Sequence, residues 1–147
     1  MTHTDTMIYL TSTDTIVGFV SRDCRRLNEI KSRPIEQPCI MAIASLSALR
    51  EHTRIPIAHR CRVRRSKRTT FVLPNGRSYR IIRDSSHSKL IRELQWAYTT
   101  SANPHTKPYD EQWAKTKADI VIYPLIQTHN KPSSIYRLGH HHLIRLR

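Results

Sequence analysis

Apolar residues along this chain fall in short runs, each bounded by hydroxyl, proline or charged residues, and strand-like runs alternate with helix-like ones. Residues 7–11 form the first run and predict a buried strand that ends in the hydroxyl turn Thr13-Asp14-Thr15. Ser21 or Asp23 can cap a helix over roughly residues 22–32, with Cys24, Leu27 and Ile30 on one side. Pro34 stops that helix, because the residue before a proline avoids helical geometry. Residues 39–43 are apolar enough for a strand buried on both faces, and Ser45 or Ser47 then caps a short helix reaching about His52. Residues 69–73 and 78–83 are two strand-like runs joined through Pro74-Asn75-Gly76-Arg77, and Asn-Gly predicts a hairpin with a type I′ turn.

In the second half, Ser85 or Ser86 caps a helix over about residues 87–95, where Leu90, Ile91 and Leu94 have helical spacing. Residues 96–100 read as a strand ending in Ser101-Ala102-Asn103-Pro104. Asp110 caps a brief helix to Lys115, and residues 119–123 read as another buried strand. Residues 135–138 and 143–146 suggest a terminal hairpin turning near Gly139. At 147 residues, with no repeat or linker, this alternation predicts one α/β domain on a mixed sheet. A chain of this size buries about 70% of its unfolded surface.

Charge changes the picture. Lysine and arginine number 25 against 11 acidic residues, a net charge of +14, and such a field favours nucleic acid or nucleotide partners over a merely solvated surface. The densest stretch holds Arg60, Arg62, Arg64, Arg65, Lys67 and Arg68, with Cys61 and Val63 between them. It reads either as an RNA-facing strand or loop, or as a solvated edge strand that its charge keeps from aggregating. Cys24, Cys39 and Cys61 are odd in number and never spaced C-x-x-C, so a disulfide scaffold or zinc ribbon is not expected. No apolar run approaches the ~18 residues of a membrane span, and no signal peptide stands out. A reducing cytoplasm is the expected location.

The three glycines, Gly18, Gly76 and Gly139, exclude both glycine-rich phosphate-loop patterns. Any nucleotide must then be held by side chains and helix ends. Thr13 and Thr15 lie where a strand gives way to a loop, a usual place for ligand contacts and, more often, for local turn caps. Lys31 and Arg33, two apart and followed by Pro34, can converge on one phosphate, although cations also suit an exposed helix end. Ser101 and Asn103 offer a hydroxyl and an amide at a strand end. The run His140-His141-His142 points to alternating faces of a hairpin, so a metal site is not expected. No Ser/His/Asp triad or carboxylate pair stands out.

Taken jointly, these stretches resemble the YrdC-like family, the threonylcarbamoyl-adenylate synthases. The family's Pro-Thr-(Asp/Glu)-Thr-x-Tyr-Gly-Leu signature is similar to residues 12–19, and its Lys-x-Arg-Pro to Lys31-Ser32-Arg33-Pro34. Its threonine strand, Val-x-Val-Arg strand, Ser-Ala-Asn, Pro-Ser-x-Ile and late arginine are similar, in order, to residues 70–73, 80–83, 101–103, 132–135 and Arg145. The resemblance implies a YrdC-like twisted mixed parallel and antiparallel sheet flanked by helices, around a positively charged cleft. It implies that Lys31 and Arg33 are catalytic and that Lys31, Arg33, Ser101, Asn103 and Arg145 hold ATP. It further implies that Thr13, Arg83, Thr99 and Ser133 hold L-threonine, Arg83 through its carboxylate.

The implied reaction joins L-threonine, bicarbonate and ATP into threonylcarbamoyl-adenylate and pyrophosphate, with magnesium expected on the phosphates. The product serves modification of the adenosine at tRNA position 37, through a tRNA threonylcarbamoyl-transferase complex. The alternative is a non-catalytic module of the same fold that binds tRNA or double-stranded RNA through residues 60–68. Ser12 and Val17 stand where the signature has proline and tyrosine. Arg65-Ser66-Lys67-Arg68 replaces the family's Trp-Pro-Gly-Pro.

Overall fold

The computed structural model describes residues 3–83, 86–126 and 133–147. Its strands are β1 (Tyr9–Ser12), β2 (Val17–Ser21), β3 (Ile40–Ile43), β4 (Thr69–Val72), β5 (Ser78–Ile81), β6 (Trp96–Ser101), β7 (Ile120–Val121), β8 (Ser134–Leu138) and β9 (Leu143–Arg145). Its helices are α1 (Cys24–Ile30), α2 (Leu46–Arg50), α3 (Arg60–Arg65), α4 (Ser86–Leu94) and α5 (Glu111–Lys117). Among the described residues the strands form one sheet in the order β7-β1-β2-β6-β3-β5-β4-β8-β9. The β1–β7, β3–β5 and β4–β8 pairs are parallel and the others antiparallel. The expected mixed sheet flanked by helices is what the chain forms.

Register fixes which side chains share a face. Ala42 lies opposite Ala97 and Arg80, and Thr99 opposite Val20 and Ile40. Because successive side chains alternate, Val20, Ala42 and Ala97 share one face, where Leu90 and Ile91 of α4 cover them. Met41, Ile43, Phe71 and Tyr79 occupy the other face and pack with Leu49 of α2 and Val63 of α3. Leu10 and Phe19 meet Leu27 of α1 and Ala114 of α5. Several expected caps form: Asp23 accepts from the Arg26 amide, Ser45 from that of Ala48, and Asp110 from those of Gln112 and Trp113.

Five expectations are corrected. Strand β2 was not foreseen, because all its residues are buried and it lacks the alternation that marks a half-buried strand. Residues 60–65 form a helix rather than a strand or loop: arginine is a good helix former, and Val63 alone anchors the turn at 1% exposure. The 69–83 hairpin exists, but its turn is not type I′, since Gly76 (φ 81°) has positive φ and Asn75 does not. Pro74 fixes a negative φ, the Gly76 amide donates to the Leu73 carbonyl, and a type I turn with a glycine bulge results. Strand β7 is a sheet edge with Ile120 37% exposed, not a buried strand. Finally, Cys24 and Cys39 form a disulfide, because helix α1 folds back and brings their Cα atoms to 6.0 Å. The Ser85 cap lies outside the described residues, as does the Ser86 side chain.

Candidate active site

Helix α4 covers only part of its sheet face. Past it the alternation continues with polar side chains: Thr99 and Ser101 on β6, Arg80 on β5, Thr70 on β4, and Ser133 just before β8. A cavity of about 200 Å3 opens there, lined by Thr13, Thr15, Ile16, Gly18, Ile40, Arg80, Thr99, Thr100, Ser101, Ser133 and Arg147. Gly18 sits directly opposite Ser101 and keeps the floor open. A Cβ there would stand 2.9 Å from the Thr100 carbonyl oxygen and 3.0 Å from Thr13 Cγ2, closer than packing tolerates. A larger cavity of about 600 Å3 lies elsewhere, between residues 53–58, Pro74, Asn75, His140 and His141. It is apolar and gathers no convergent set of polar groups, so its size alone does not make it the site.

One end of the cleft is built on arginine. Arg80 is 6% exposed and donates to the Asp14 carboxylate and, at 3.1 Å, to Thr15 Oγ1. Burial lowers its pKa against the opposing pull of Asp14, yet a guanidinium remains charged. Its Nε is buried and has no hydrogen-bond partner among the described residues. Beneath it His87 is fully buried, and burial with the Arg80 charge pushes its pKa down to about 3, so it stays neutral. Arg147 donates through Nε and Nη2 to the Ser133 carbonyl at 2.9 and 2.8 Å, and Ser133 Oγ lies 2.8 Å from Thr70 Oγ1.

Beside the cleft, α1 delivers Lys31 as its C-cap, and Ser32 (φ 54°) turns the chain before Arg33. Lys31 Nζ donates to the Ser101 carbonyl at 2.8 Å, to Ser101 Oγ at 3.1 Å and to Asn103 Oδ1 at 3.4 Å. No carboxylate among the described residues forms an ion pair with it. Burial, with Arg33 as a lesser cause, lowers its pKa to about 8. Arg33 donates from Nε to Asn28 Oδ1 at 2.6 Å and from Nη1 to Thr100 Oγ1 at 3.3 Å. Asn28 is fully buried and donates to the Ile35 and Gln37 carbonyls, so it ties the Lys31–Arg33 loop to α1. The Cys24–Cys39 bridge closes the same loop from outside.

The cleft therefore gathers Thr13, Thr99, Ser101 and Ser133 in its lining, while Lys31 and Arg33 lie beside it on Ser101 and Thr100, with Asn103 behind Lys31. The Thr13 hydroxyl is spent on its own turn, accepting from the Thr15 and Ile16 amides and donating to the Ile16 carbonyl. Arg83 and Arg145 are not brought in. Arg83 lies beyond the end of β5 and donates to the Arg64 carbonyl, while Arg145 is exposed on β9 opposite Tyr136. Arg80 and Arg147 stand in the cleft instead. Strand parity could have found Arg80, but Ile81 and Ile82 are both apolar and hide which residue faces which way. Nothing in the sequence singles out Arg147. Arg60, Arg62, Arg64, Arg65, Lys67 and Arg68 line no part of the cleft.

Two cations in the lining, Arg80 and Arg147, and two more on lining residues, Lys31 and Arg33, favour an anionic or carboxylate-bearing ligand. Metal is not caged here: no group of three or more His, Cys, Asp or Glu forms a site among the described residues. A magnesium ion would have to arrive on its substrate's phosphates, as such ions usually do.

No known family's sequence profile matches the chain, and no curated protein matches it in sequence. Its structure is similar to Sua5 from P. abyssi complexed with L-threonine, with a TM-score of 0.82 and 23% identity over 96% of this chain and 50% of that one. It is similar to the MTH1692 protein from Methanobacterium thermoautotrophicum at 0.72 and 21%, covering 96% and 79%. For E. coli YciO the values are 0.75 and 16%, covering 97% and 82%. The chain spans about half the length of the Sua5 protein it matches. It has the Sua5/YrdC-type fold, and no described helix is long and apolar enough to cross a membrane.

Proposed function

We propose that this chain is an L-threonylcarbamoyladenylate synthase, a nucleotidyltransferase that joins L-threonine, bicarbonate and ATP and releases pyrophosphate. One observation carries the reading: Lys31 on Ser101 and Arg33 on Thr100 stand beside a hydroxyl-lined cleft that also holds Arg80 and Arg147. The fold around that cleft is similar to a protein that binds L-threonine. Arg80 and Arg147 supply the positive charge for the amino-acid carboxylate. Thr15, Thr99 and Ser133 offer the hydroxyls that fix the rest of the molecule. Lys31 and Arg33 face the phosphates.

Bicarbonate takes up a proton and loses water to give carbon dioxide, and the free amine of threonine adds to it and releases its own proton as the carbamate forms, so the cleft needs no strong base. The carbamate oxygen attacks the α-phosphorus of ATP, the bond to the β,γ-diphosphate breaks, and pyrophosphate leaves with the electron pair. Positioning the two substrates and stabilising the charge that spreads over the phosphoryl oxygens are then the main catalytic terms. Magnesium on the departing pyrophosphate would add a further cation. The adenylate would supply tRNA threonylcarbamoyl modification through a transferase complex.

Protein incubated with ATP, magnesium, threonine and bicarbonate is expected to release pyrophosphate only when all four are present. Release that ignores threonine overturns the reading. Arg33→Ala is expected to lower kcat/KM by about 10²-fold or more, the loss of one charge-stabilising donor.

A further inference from the structure

Cys24 opens α1 and Cys39 immediately precedes β3, so their disulfide closes the segment that carries Lys31 and Arg33. Both cysteines are half-buried rather than sealed in the core. They line a hollow of about 400 Å3 between the 35–38 loop and the β4–β5 turn, together with Met41, Tyr79 and Tyr98. Those three are cross-strand neighbours on the sheet face away from Arg80 and Thr99, so the hollow is separate from the cleft. The same sulfurs touch the polar groups of the loop. Arg33 Nη2 lies 3.8 Å from Cys39 Sγ, and Asn28 Nδ2 lies 3.7 Å from Cys24 Sγ. Asn28 Oδ1 also accepts from Arg33 Nε at 2.6 Å, so one amide touches both the bridge and the guanidinium.

We propose that this bond is a thiol-exchange site, opened by a low-mass thiol entering the hollow and closed by that thiol's disulfide, and that its state governs Arg33. The volume lies within the roughly 300–1,000 Å3 of small-molecule clefts. Glu36 and Arg77, both exposed on its rim, offer one charge of each sign to a peptide-like thiol that carries an amine and carboxylates. The thiolate attacks Cys24 Sγ, the S–S bond breaks, and its electron pair leaves on Cys39 Sγ, where the Arg33 guanidinium stands to meet the negative charge. A second thiolate attacks the small-molecule sulfur of the mixed disulfide, and the pair leaves on Cys24, which takes up a proton from solvent. Two thiols are thereby oxidised to one small disulfide while one bridge is reduced to two cysteines, and the same small disulfide reverses both steps. If Lys31 and Arg33 face phosphates, as the proposed function has it, the freed Cys39 thiolate competes for that guanidinium. The opened form then binds ATP more weakly.

The test uses a Cys61→Ser variant, which removes the exposed third thiol; Cys61 lines neither the hollow nor the cleft. The native protein is held in glutathione buffers of rising reduced-to-oxidised ratio, quenched in acid and mapped by mass spectrometry. It is expected to open reversibly, with the mixed disulfide on Cys24. A bridge that opens only after denaturation, or a mixed disulfide carried by Cys39 alone, overturns the proposal. Calorimetry with magnesium-ATP is expected to show binding at least about tenfold weaker in the opened form, the worth of one charge-assisted hydrogen bond. Cys24→Ser, which leaves Cys39 free, should bind weakly in every buffer. Cys39→Ser, which has no thiolate beside Arg33, should bind tightly in every buffer, and the reverse order overturns the coupling. If no form binds ATP, the nucleotide reading fails by itself, and modification of Arg33 by phenylglyoxal decides the switch. Slower modification in the opened form supports it, and an equal or faster rate removes it.

Discussion

At the scale of single residues, the cleft depends on two cations whose neighbours set their behaviour. Arg80 is buried against Asp14, so Arg80→Ala breaks a buried ion pair and is expected to destabilise the fold by about 3–5 kcal/mol while abolishing threonine binding. Arg83→Ala is expected to leave threonine affinity where it was, because Arg83 touches α3 rather than the cleft. Urea unfolding and calorimetry on both variants check this, and equal losses of affinity would reverse the assignment. Lys31 is a titration argument. Its pKa stands at about 8 when folded against 10.5 ordinarily, so between those values the unfolded chain holds a proton that the folded chain lacks. Stability therefore rises with pH across that window. Phosphate binding needs the ammonium, so ATP affinity is expected to hold below about pH 8 and to fall above it by up to about tenfold per unit. Lys31→Met should bind weakly at every pH. A profile that stays flat in the unaltered protein would exclude Lys31 from the phosphate site.

At the scale of elements, the loop from Cys24 to Cys39 is the unit that presents Lys31 and Arg33. It is held by Asn28 from within and by the disulfide from without. Reduction of that bridge, which closes a sequence separation of 15, is expected to lower stability by about 3 kcal/mol. Unfolding with and without dithiothreitol measures it, and an identical midpoint would show that packing alone holds the loop. The helix of this unit was legible from Asp23 and Pro34, and its two cations from the Lys-x-Arg-Pro spacing. Its disulfide was not, because sequence separation says nothing of how far α1 folds back. The β4–β5 hairpin was legible from Asn75-Gly76, but its turn type hinged on Pro74, one residue earlier. Arg83 was expected from the resemblance, and in β5 the adjacent Ile81 and Ile82 conceal the strand parity that puts Arg80 in the cleft instead. Helix α3 was hidden for a related reason: one inward Val63 among arginines carries no readable period.

At the scale of the whole molecule, two cationic regions on one chain of net charge +14, the cleft and residues 60–68, must be told apart. With self-repulsion this large, almost any anion will stabilise the protein somewhat, and simple screening will do so as well. The Debye length falls from about 30 Å at 0.01 M salt to about 8 Å at 0.15 M, so much of that general effect should be exhausted by the higher concentration. Threonine is a zwitterion without net charge, and in the proposed reading the cleft would meet it with buried groups that salt screens little, among them Arg80 at 6% exposed. Its stabilisation should therefore persist at 0.3 M salt. At 100 times its Kd it is expected to add about 2.7 kcal/mol to the unfolding free energy. Duplex nucleic acid, the ligand of the alternative reading of residues 60–68, would be held by exposed arginines and should stabilise strongly at low salt and hardly at all at 0.3 M. Thermal unfolding with each ligand at both salt concentrations separates the regions in one experiment. If the threonine effect fades with salt as the duplex effect does, the cleft is acting only as part of a diffuse positive field, and the amino-acid site is lost with it.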